Sequence, residues 1–303
     1  MSNITTTIAD TAGFIPQVWA QRALDVLKAN LVLARLVARD SDFEPAFVGK
    51  TVNIPYPGTF TAQDKTADTA INPQTPTGGA TVSVTLNKHK AVDFLVEDVA
   101  RAQARPDLLD RYITPAALAL AQVVEQDLFA LYASLATTVG TSGTDLTAAT
   151  IRAARKALND NNVPLDARYL VVSPKDEIAL LGDSSLATYW AMARSQGIAD
   201  GSIGRLYGFD VYMSQLVPVV TGTPSSTKNI ALHREAFILA TRPFMDPPAN
   251  SGVQAATVRD PDTGIVIRVI YSYDIAHRGV RVGLDILYGV AVLRNAAGVV
   301  VLS

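Results

Sequence analysis

The histidines are the side chains of this sequence best suited to bind a transition metal or to move protons near neutral pH. There are three of them, His89, His233 and His277, and each lies in a stretch with a strand-like sequence. A zinc site would therefore require distant parts of the chain to converge on one point. The sequence contains no cysteine, which excludes a thiolate nucleophile, a disulfide and a Cys-ligated metal centre. We predict no resident metal and no cofactor.

Phosphate binding and hydrolysis have little support either. The Gly-Lys-Thr tripeptide at 49–51 superficially resembles a phosphate-binding loop, but Glu44 stands where that loop needs a glycine, and strand-like sequence follows. The sequence has no Gly-x-Ser-x-Gly elbow for a nucleophilic serine. Carboxylates are numerous, but their spacing selects no catalytic pair, and Asp260 and Asp262 are typical of a turn. We therefore predict no catalytic residues and no enzymatic activity.

The composition of the 303 residues indicates extensive burial. Hydrophobic residues make up 49% of the chain and charged residues only 18%, against about 25% in a typical soluble domain. A net charge of -2 gives no summed positive field for gripping nucleic acid or an anionic membrane. The N-terminus lacks the basic start and apolar run of a secretion signal. Because Gln122, Glu125 and Asp127 interrupt the apolar stretch 118–136, we expect no transmembrane helix.

Two strand patterns flank a long polar excursion in the first third of the chain, after an amphipathic helix that begins near Pro16. Apolar residues alternate with polar ones over 52–56 and again over 82–86, whereas 61–80 is rich in Thr, Asp, Pro and Gly. A two-stranded ribbon of this length is marginal in water. We therefore expect it to pack on something outside its own fold, with a disordered surface loop as the alternative.

A long helix and a compact block of mixed helices and strands come next. The long helix has a possible start at Pro106-Asp107 and a better one at Thr114-Pro115, and its apolar stripe runs to Leu135, roughly 30 Å away. The block is predicted to contain a helix capped by Thr147, a strand over 169–172, a helix begun by Ser173-Pro174, a helix over 186–194 and a strand over 209–213.

From Asn229 onward the sequence is almost entirely strand-like. The segment 265–276 keeps one apolar face over roughly 35 Å, an unusually long strand, and 260–264 forms a hairpin turn before it. The predicted strands are 230–232, 237–239, 254–259, 265–276, 281–293 and 299–302.

The order of these elements resembles that of tailed-bacteriophage major capsid proteins of the Hong Kong 97-type fold. The resemblance covers nearly the whole chain and is carried by four stretches: Val48–Pro55, Tyr169–Leu181, Leu206–Val211 followed by Val217-Pro218, and Val258–Leu293. It implies an α+β fold with an N-arm, an extended β-hairpin loop, a peripheral domain with a long spine helix and long antiparallel strands, and an axial α+β domain. The implied segments are 1–48 for the N-arm, 49–98 for the extended loop, 99–146 for the peripheral domain with its spine helix, 147–228 for the axial domain and 229–303 for return strands that complete the peripheral domain.

The resemblance also implies a function. The chain would be a coat protein that self-assembles through hexamers and pentamers into an icosahedral shell and encloses double-stranded DNA nonspecifically. Its implied partners are further copies of itself, a separate scaffolding protein, a portal and, as an optional partner, a decoration protein, but no membrane. It would reside in the virion capsid, and in the host bacterial cytoplasm during assembly.

Intersubunit contacts are expected at two places by position in the resemblance. The residues are Phe60, Asp64, Lys65 and Asp68 of the extended loop, and Arg259, Asp260 and Asp262 of the protruding hairpin. One branch of the family joins a lysine of this loop to an asparagine of a neighbouring subunit. Lys65 lies in the right kind of loop, but the partner asparagine and the assisting glutamate have no match here, so we expect Lys65 to form an ordinary intersubunit ion pair.

Three other hypotheses predict different behaviour. An encapsulin-type nanocompartment shares the fold but encloses enzymes, and would need a groove for a cargo peptide. A soluble α+β enzyme with a carboxylate site that the sequence does not display would form a small oligomer with a deep polar pocket. A tail or decoration component would form tubes or trimers, or would bind to preformed shells.

Overall fold

The helices form where apolar residues recur on one side of the chain. The computed structural model describes residues 14–39, 51–56, 58, 60–76, 80–99, 108–183, 204–245, 247–248, 252–259 and 264–303. The helices in this part of the chain are α1 (Phe14–Asn30), α2 (Leu33–Leu36), α3 (Leu108–Phe129), α4 (Ala148–Asp160) and α5 (Pro174–Gly182), with short 3₁₀ helices at Ala130–Ser134, Arg234–Ala236 and Asn295–Ala297.

Helix α3 is the long helix predicted from the sequence, but its bounds differ. It passes through Pro115 instead of beginning there, and it gives way to a 3₁₀ helix at Ala130 instead of reaching Leu135. The apolar face extends to the N-terminal side of the proline, because Ile113 is fully buried. Packing of this first part of the helix therefore outweighs the backbone hydrogen bond that Pro115 cannot donate.

The stretch Arg111–Ser134 is long and apolar enough to cross a membrane by length and composition alone. Its apolar face is instead covered by the chain itself, since Leu120, Val124 and Leu128 are all buried in the main core. We conclude that α3 is a core helix of the folded chain.

The first sheet is built from long antiparallel strands that pair through the C-terminal part of the chain. Its members are β1 (Ala38–Arg39), β4 (Lys88–Glu97), β11 (Phe237–Arg242), β12 (Gln254–Arg259), β13 (Val266–Asp274) and β14 (Gly279–Val292), in the order β1-β11-β14-β13-β12 with β4 beside β14. Helices α1 and α3 cover one face, where the Trp19 ring lies 5.6 Å from the Tyr271 ring. The strand predicted over 265–276 ends at Asp274.

The polar excursion is closed by a hairpin of β2 (Thr51–Tyr56) and β3 (Ala80–Thr85), which pair antiparallel. Contrary to expectation, the base of this hairpin packs on its own chain. Val52, Ile54 and Val84 are buried on one face, because strand alternation places them on the same side. They form a small apolar cluster with Ala38, Leu86, Ile238, Ala240 and Leu293.

The remaining strands form a second sheet that mixes parallel and antiparallel pairs. They are β5 (Thr137–Gly140), β6 (Arg168–Val172), β7 (Arg205–Leu206), β8 (Phe209–Met213), β9 (Val219–Val220), β10 (Ser226–His233) and β15 (Gly298–Leu302), in the order β5-β15-β10-β6-β8-β7 with β9 beside β10. Residues 229–233 and 298–302, which belong to the segment expected to complete the peripheral domain, therefore lie in the second sheet. The centre of β10 is apolar and fully buried, so its backbone groups need hydrogen-bond partners on both sides. Strands β6 and β15 supply them.

Local capping in this block follows the sequence. The Thr147 hydroxyl accepts the Thr150 N–H at the start of α4, and the Ser173 hydroxyl accepts the Asp176 N–H at the start of α5. Both helix starts were predicted from these residue types. The helix predicted over 186–194 lies outside the described residues.

A polar cluster fastens α3 to the first sheet. Asp127 of α3 accepts a hydrogen bond from the hydroxyl of Tyr288, and its Oδ1 lies 2.7 Å from the Lys88 ammonium group. Burial, and then the nearby Asp127 carboxylate, raise the pKa of Tyr288, which therefore stays a donor. The Lys88 and Tyr288 hydrogen bonds hold the pKa of Asp127 below its ordinary value, although partial burial acts in the opposite direction.

Gly289→Ala is expected to lower the free energy of unfolding by about 1–3 kcal/mol, because the hairpin base leaves no room for a side chain. A Cβ at Gly289 would lie 2.3 Å from the Thr85 carbonyl oxygen, so the β2–β3 hairpin would have to move. Gly182→Ala is the matched control, since a Cβ there meets nothing within 4 Å. Thermal unfolding measures both; equal melting temperatures for the two variants would contradict the close approach.

Candidate assembly surfaces

The most exposed part of the described chain is the tip of the extended loop, residues 58 and 60–76. Phe60 is 68% exposed, and Asp64, Lys65 and Asp68 are exposed with it. Four of the residues predicted to contact other subunits therefore share one surface feature. Phe60 and the 52% exposed Ile71 are the large apolar side chains of this surface.

Lys65 is held within the extended loop. Its ammonium group donates to the carbonyl oxygens of Thr66, at 3.0 Å, and Thr69, and Asp68 occupies the turn with a positive φ of 61°. The loop is also closed at its neck, where the Thr61 N–H donates to the Gln74 side chain at 3.1 Å. This folded turn presents Asp64 and Asp68 outward beside a lysine that already has hydrogen-bond acceptors.

The second predicted surface is only partly described. Arg259 is exposed at the end of β12 and pairs with Val266, while Gly264, with φ 69°, begins the return to β13. Asp260 and Asp262 lie outside the described residues. Arg259 lies on the β12–β13 hairpin, whereas the extended loop is closed by β2 and β3. The two sets of residues predicted to contact other subunits are therefore on different hairpins.

A third surface, the distal patch, was missed by sequence reasoning. It consists of the exposed Tyr273 and Ile275 at the turn between β13 and β14, Val99 just after β4, and Tyr112 of α3, whose ring lies 5.6 Å from that of Phe94 in β4; Ile275 is 71% exposed. The Tyr273 hydroxyl donates to Asp98 at 2.7 Å, which ties the turn to the end of β4. The sequence predicted a strand that contains Tyr273 and Ile275 and a helix that contains Tyr112, but it predicted no strand near Val99 and could not show which ends of the elements meet.

Two histidines have structural partners. His233 Nδ1 accepts the Glu235 N–H at 3.3 Å and caps a 3₁₀ helix, and burial lowers its pKa. His277 Nδ1 lies 2.9 Å from the Asp274 carboxylate, which lies in the same turn. Among the described residues there is no group of three or more His, Asp or Glu side chains placed to hold a metal.

His89 joins a charged cluster on the face of the first sheet opposite α1 and α3. The guanidinium of Arg268 makes two bonds to the buried carboxylate of Asp285, at 3.0 and 2.5 Å, and His89 lies 3.4 Å from the same carboxylate. The Phe244 ring covers both partners, 4.3 Å from the Arg268 guanidinium and 4.7 Å from the His89 ring. This arrangement neutralises a buried carboxylate across strands and acts as a structural clamp.

A buried network of polar side chains in the second sheet contains an aspartate hydrogen-bonded to two serines, which are residue types found in catalytic sites. Asp176 Oδ2 accepts hydrogen bonds from Ser173 Oγ at 2.7 Å, Asn229 Nδ2 at 2.7 Å and Ser303 Oγ at 2.8 Å. Asp176 is fully buried, so a substrate cannot reach it. The network fastens α5 to β10 and to the last residue of the chain.

Glu125 is a buried carboxylate whose hydrogen-bond partners are all backbone N–H groups of another helix. It is 1% exposed, and its carboxylate accepts the backbone N–H groups of Val32, Leu33 and Ala34 at 2.9, 3.0 and 2.9 Å. These are the donors at the start of α2, so Glu125 of α3 caps that helix from 91 residues or more along the chain. Sequence reasoning noted Glu125 only as an interruption of the apolar stripe, although a charge on that stripe signals a buried partner.

Burial raises the pKa of Glu125 to about 7, against the opposing effect of the three backbone N–H groups. The segment that links the N-terminal helix to β1 is thereby held to the long helix by one ionisable side chain.

Comparisons with known proteins agree with this architecture. The chain resembles a structure from Mycobacterium phage Che8 with 23% identity over 89% of this chain and 90% of that one, at a TM-score of 0.62. It also resembles the capsid structure of the cyanophage P-SCSP1u, with 15% identity over 89% and 87% of the two chains and a TM-score of 0.64. A virus-like particle from Pyrococcus furiosus gives 11% identity over 95% and 99%, with a TM-score of 0.52. No curated protein sequence matches the chain.

These structural likenesses confirm the α+β, Hong Kong 97-type fold that the sequence predicted. A family model described as phage capsid protein matches residues 79–302, which is most of the chain, and a family of this kind indicates a structural role. The chain therefore belongs to the phage capsid protein family and is a shell-forming coat subunit.

Proposed function

We propose that this chain is the repeating subunit of an icosahedral shell that assembles through hexamers and pentamers and encloses double-stranded DNA. The observation that supports this most directly is the extended loop, an arm whose tip is exposed over 60–73 and whose base packs on the first sheet through a buried cluster. An arm with a packed base and an exposed Phe60 is suited to lie on a neighbouring copy, where its apolar surface can be buried.

In this proposal, each segment of the chain has the role that the resemblance to capsid proteins implies. Residues 1–48 are the N-arm, 99–146 carry the spine helix, and 147–228 supply most of the axial domain. The extended loop belongs to 49–98, although β4 within that segment runs along β14 as part of the first sheet. The segment 229–303 completes the peripheral sheet, and its strands β10 and β15 pair in the second sheet.

The intersubunit contacts we propose are those of the extended loop, of the hairpin and of the distal patch. The loop and hairpin residues are Phe60, Asp64, Lys65, Asp68, Arg259, Asp260 and Asp262.

The proposed partners of the shell follow from its role as a container. A net charge of -2 suits nonspecific enclosure of DNA, with counterions neutralising phosphate, better than direct gripping. A separate scaffolding protein, a portal and an optional decoration protein complete the assembly, which takes place in the host bacterial cytoplasm and ends in the virion capsid.

An encapsulin-type compartment is the second candidate, because the likeness to a virus-like particle from Pyrococcus furiosus extends over almost the whole length of both chains. The two candidates differ in content, since one encloses DNA and the other a protein cargo. The family match favours the phage capsid.

Negative-stain electron microscopy combined with sedimentation of the purified protein tests the proposal, with and without co-expressed neighbouring phage genes. Closed icosahedral particles, or isolated pentamer and hexamer rings, are expected. Nuclease-resistant DNA inside particles made with the packaging genes would support the phage capsid, and copurified protein cargo without DNA would support the compartment. A uniform dimer or tetramer under every condition would overturn the proposed shell.

A further inference from the structure

The chain passes three times between its two halves, one built on the first sheet and the other on the second. Residues 134–137 lead from α3 and its 3₁₀ extension into β5, residues 233–237 lead from β10 into β11, and residues 292–298 lead from β14 into β15. We call these the first, second and third passages. A change in the angle between the halves must act on all three of them.

Hydrogen bonds join the three passages to one another. The Leu293 N–H donates to the Ala236 carbonyl oxygen at 2.9 Å, which joins the third passage to the second. The Asn295 side chain accepts the Ala136 N–H and donates to the Ser134 carbonyl oxygen, both at 2.8 Å, which joins the third passage to the first. The three passages therefore form one unit, which we call the joint.

The middle of the joint has no space for another methyl group. Leu135 of the first passage and Ala236 of the second are buried beside Gly298 of the third. A Cβ at Gly298 would lie 2.7 Å from Leu135 Cδ2 and 3.5 Å from Ala236 Cβ. Gly298 has a φ of -128°, which any residue can adopt, so the close packing and not the backbone conformation requires a glycine here.

Away from the joint, the two halves leave space between them. A cleft of about 350 Å³ separates the segment around α2 from the second sheet, with Arg35 on one side and Tyr169 and Tyr212 on the other. Atoms that face such a gap lack the van der Waals contacts that would resist a change of angle. This part of the boundary therefore contributes little to fixing the angle.

We infer that the joint sets the angle between the two halves of the subunit, and that Gly298 and Asn295 position the halves for one curvature of the shell. The inference rests on the proposed function, because the closure of an assembly follows from the geometry of its repeating subunit. Every subunit repeats the same angle, so even a small change at the joint adds up around the shell.

Gly298→Ala tests the inference, because it places a methyl group between the first and third passages. We expect closed shells of the original diameter to become at least about threefold fewer, with other diameters or open sheets in their place, since overpacking moves the passages apart. Gly182→Ala is the matched control, because a Cβ there meets nothing within 4 Å. Electron microscopy measures the diameters.

Leu135→Ala added to Gly298→Ala separates positioning from stability. It removes the Leu135 methyl group that the new side chain meets, so the original diameter should return in at least about half of the shells. Loss of stability alone predicts the reverse, since Leu135→Ala also deletes buried apolar volume. No recovery of the diameter in a folded double variant would contradict the positioning role of Gly298.

The angle is also measurable in the unassembled subunit. Because the chain has no native cysteine, spin labels at Ile178→Cys in α5 and Ile275→Cys just after β13, both exposed, report one distance between the halves. Gly298→Ala and Asn295→Ala should each shift or broaden this distance by at least about 2 Å, whereas Gly182→Ala should not. Asn295 is exposed, so its replacement tests the joint even if Gly298→Ala does not fold.

The outcomes separate the joint from the shell itself. An unchanged distance in the folded variants, or Gly298→Ala shells of the original diameter, would overturn the joint as the source of curvature and leave the shell intact. Failure of the unmodified protein to form shells or rings would instead remove the proposed function.

Discussion

Replacement of Glu125 by alanine is expected to lower the free energy of unfolding of the unassembled subunit by about 2–4 kcal/mol. The truncation leaves the N–H groups of Leu33 and Ala34 buried without an acceptor, and each such loss costs about 1–3 kcal/mol. Removal of a buried charge recovers part of this cost, because the carboxylate no longer has to be desolvated. Urea denaturation followed by circular dichroism measures the change.

The pH dependence of the free energy of unfolding separates the effect of the charge of Glu125 from the effect of its shape. The pKa of Glu125 is raised from 4.5 to about 7 in the folded chain, so between these values the folded state binds a proton that the unfolded state has released. The resulting stability is fully present below about pH 4.5 and is lost as the pH rises through 7. Relative to Glu125→Gln, which does not titrate, the unmodified protein should therefore gain roughly 2–3 kcal/mol on acidification from pH 8 to pH 5.

Gln126→Ala is the matched control for both measurements, since Gln126 is exposed on the same helix beside Glu125. Its free energy of unfolding should change by less than about 0.5 kcal/mol at either pH. If the unmodified protein lost stability relative to Glu125→Gln on acidification, the three backbone hydrogen bonds would outweigh desolvation. The pKa of Glu125 would then be lowered in the folded chain, not raised.

Shortening the extended loop should abolish closed shells while leaving the subunit folded. The Thr61 N–H lies 3.1 Å from the Gln74 side chain, so residues 62–73 can be replaced by two glycines without moving the neck. The residues removed are exposed, and we expect the free energy of unfolding to change by less than about 1 kcal/mol. Closed shells should fall at least about tenfold, since the loss of only 1.4 kcal/mol at one contact already costs that factor.

Electron microscopy and sedimentation count the shells, and thermal unfolding confirms that the shortened subunit is folded. Gln63→Ala serves as the control, because it changes an exposed polar residue of the same loop and keeps its length. Normal shells from the shortened protein would contradict the role of the loop in assembly. A large fall in melting temperature would show that the loop stabilises the subunit itself.

Local pattern was enough to predict most elements, because a helix or strand is signalled by the spacing of its own residues. Thr147 and Ser173 cap the helices that their residue types predicted, and the strand 254–259 has the predicted bounds. The exposed positions of Phe60, Asp64, Lys65 and Asp68 also follow from the polar composition around them. Their contacts with other subunits stay a prediction, since a surface pattern does not name its partner.

By itself, the sequence determined most of the elements, though not the central strand β4, together with the apolar stripe of α3, the exposed arm and, through the order of the elements, the capsid resemblance. Only the tertiary structure decided that β10 and β15 join the second sheet, that the hairpin base packs near Gly289, and that Glu125 caps α2. The physical reason is that strand partners and buried hydrogen bonds are chosen by long-range packing, which periodicity along the chain does not record.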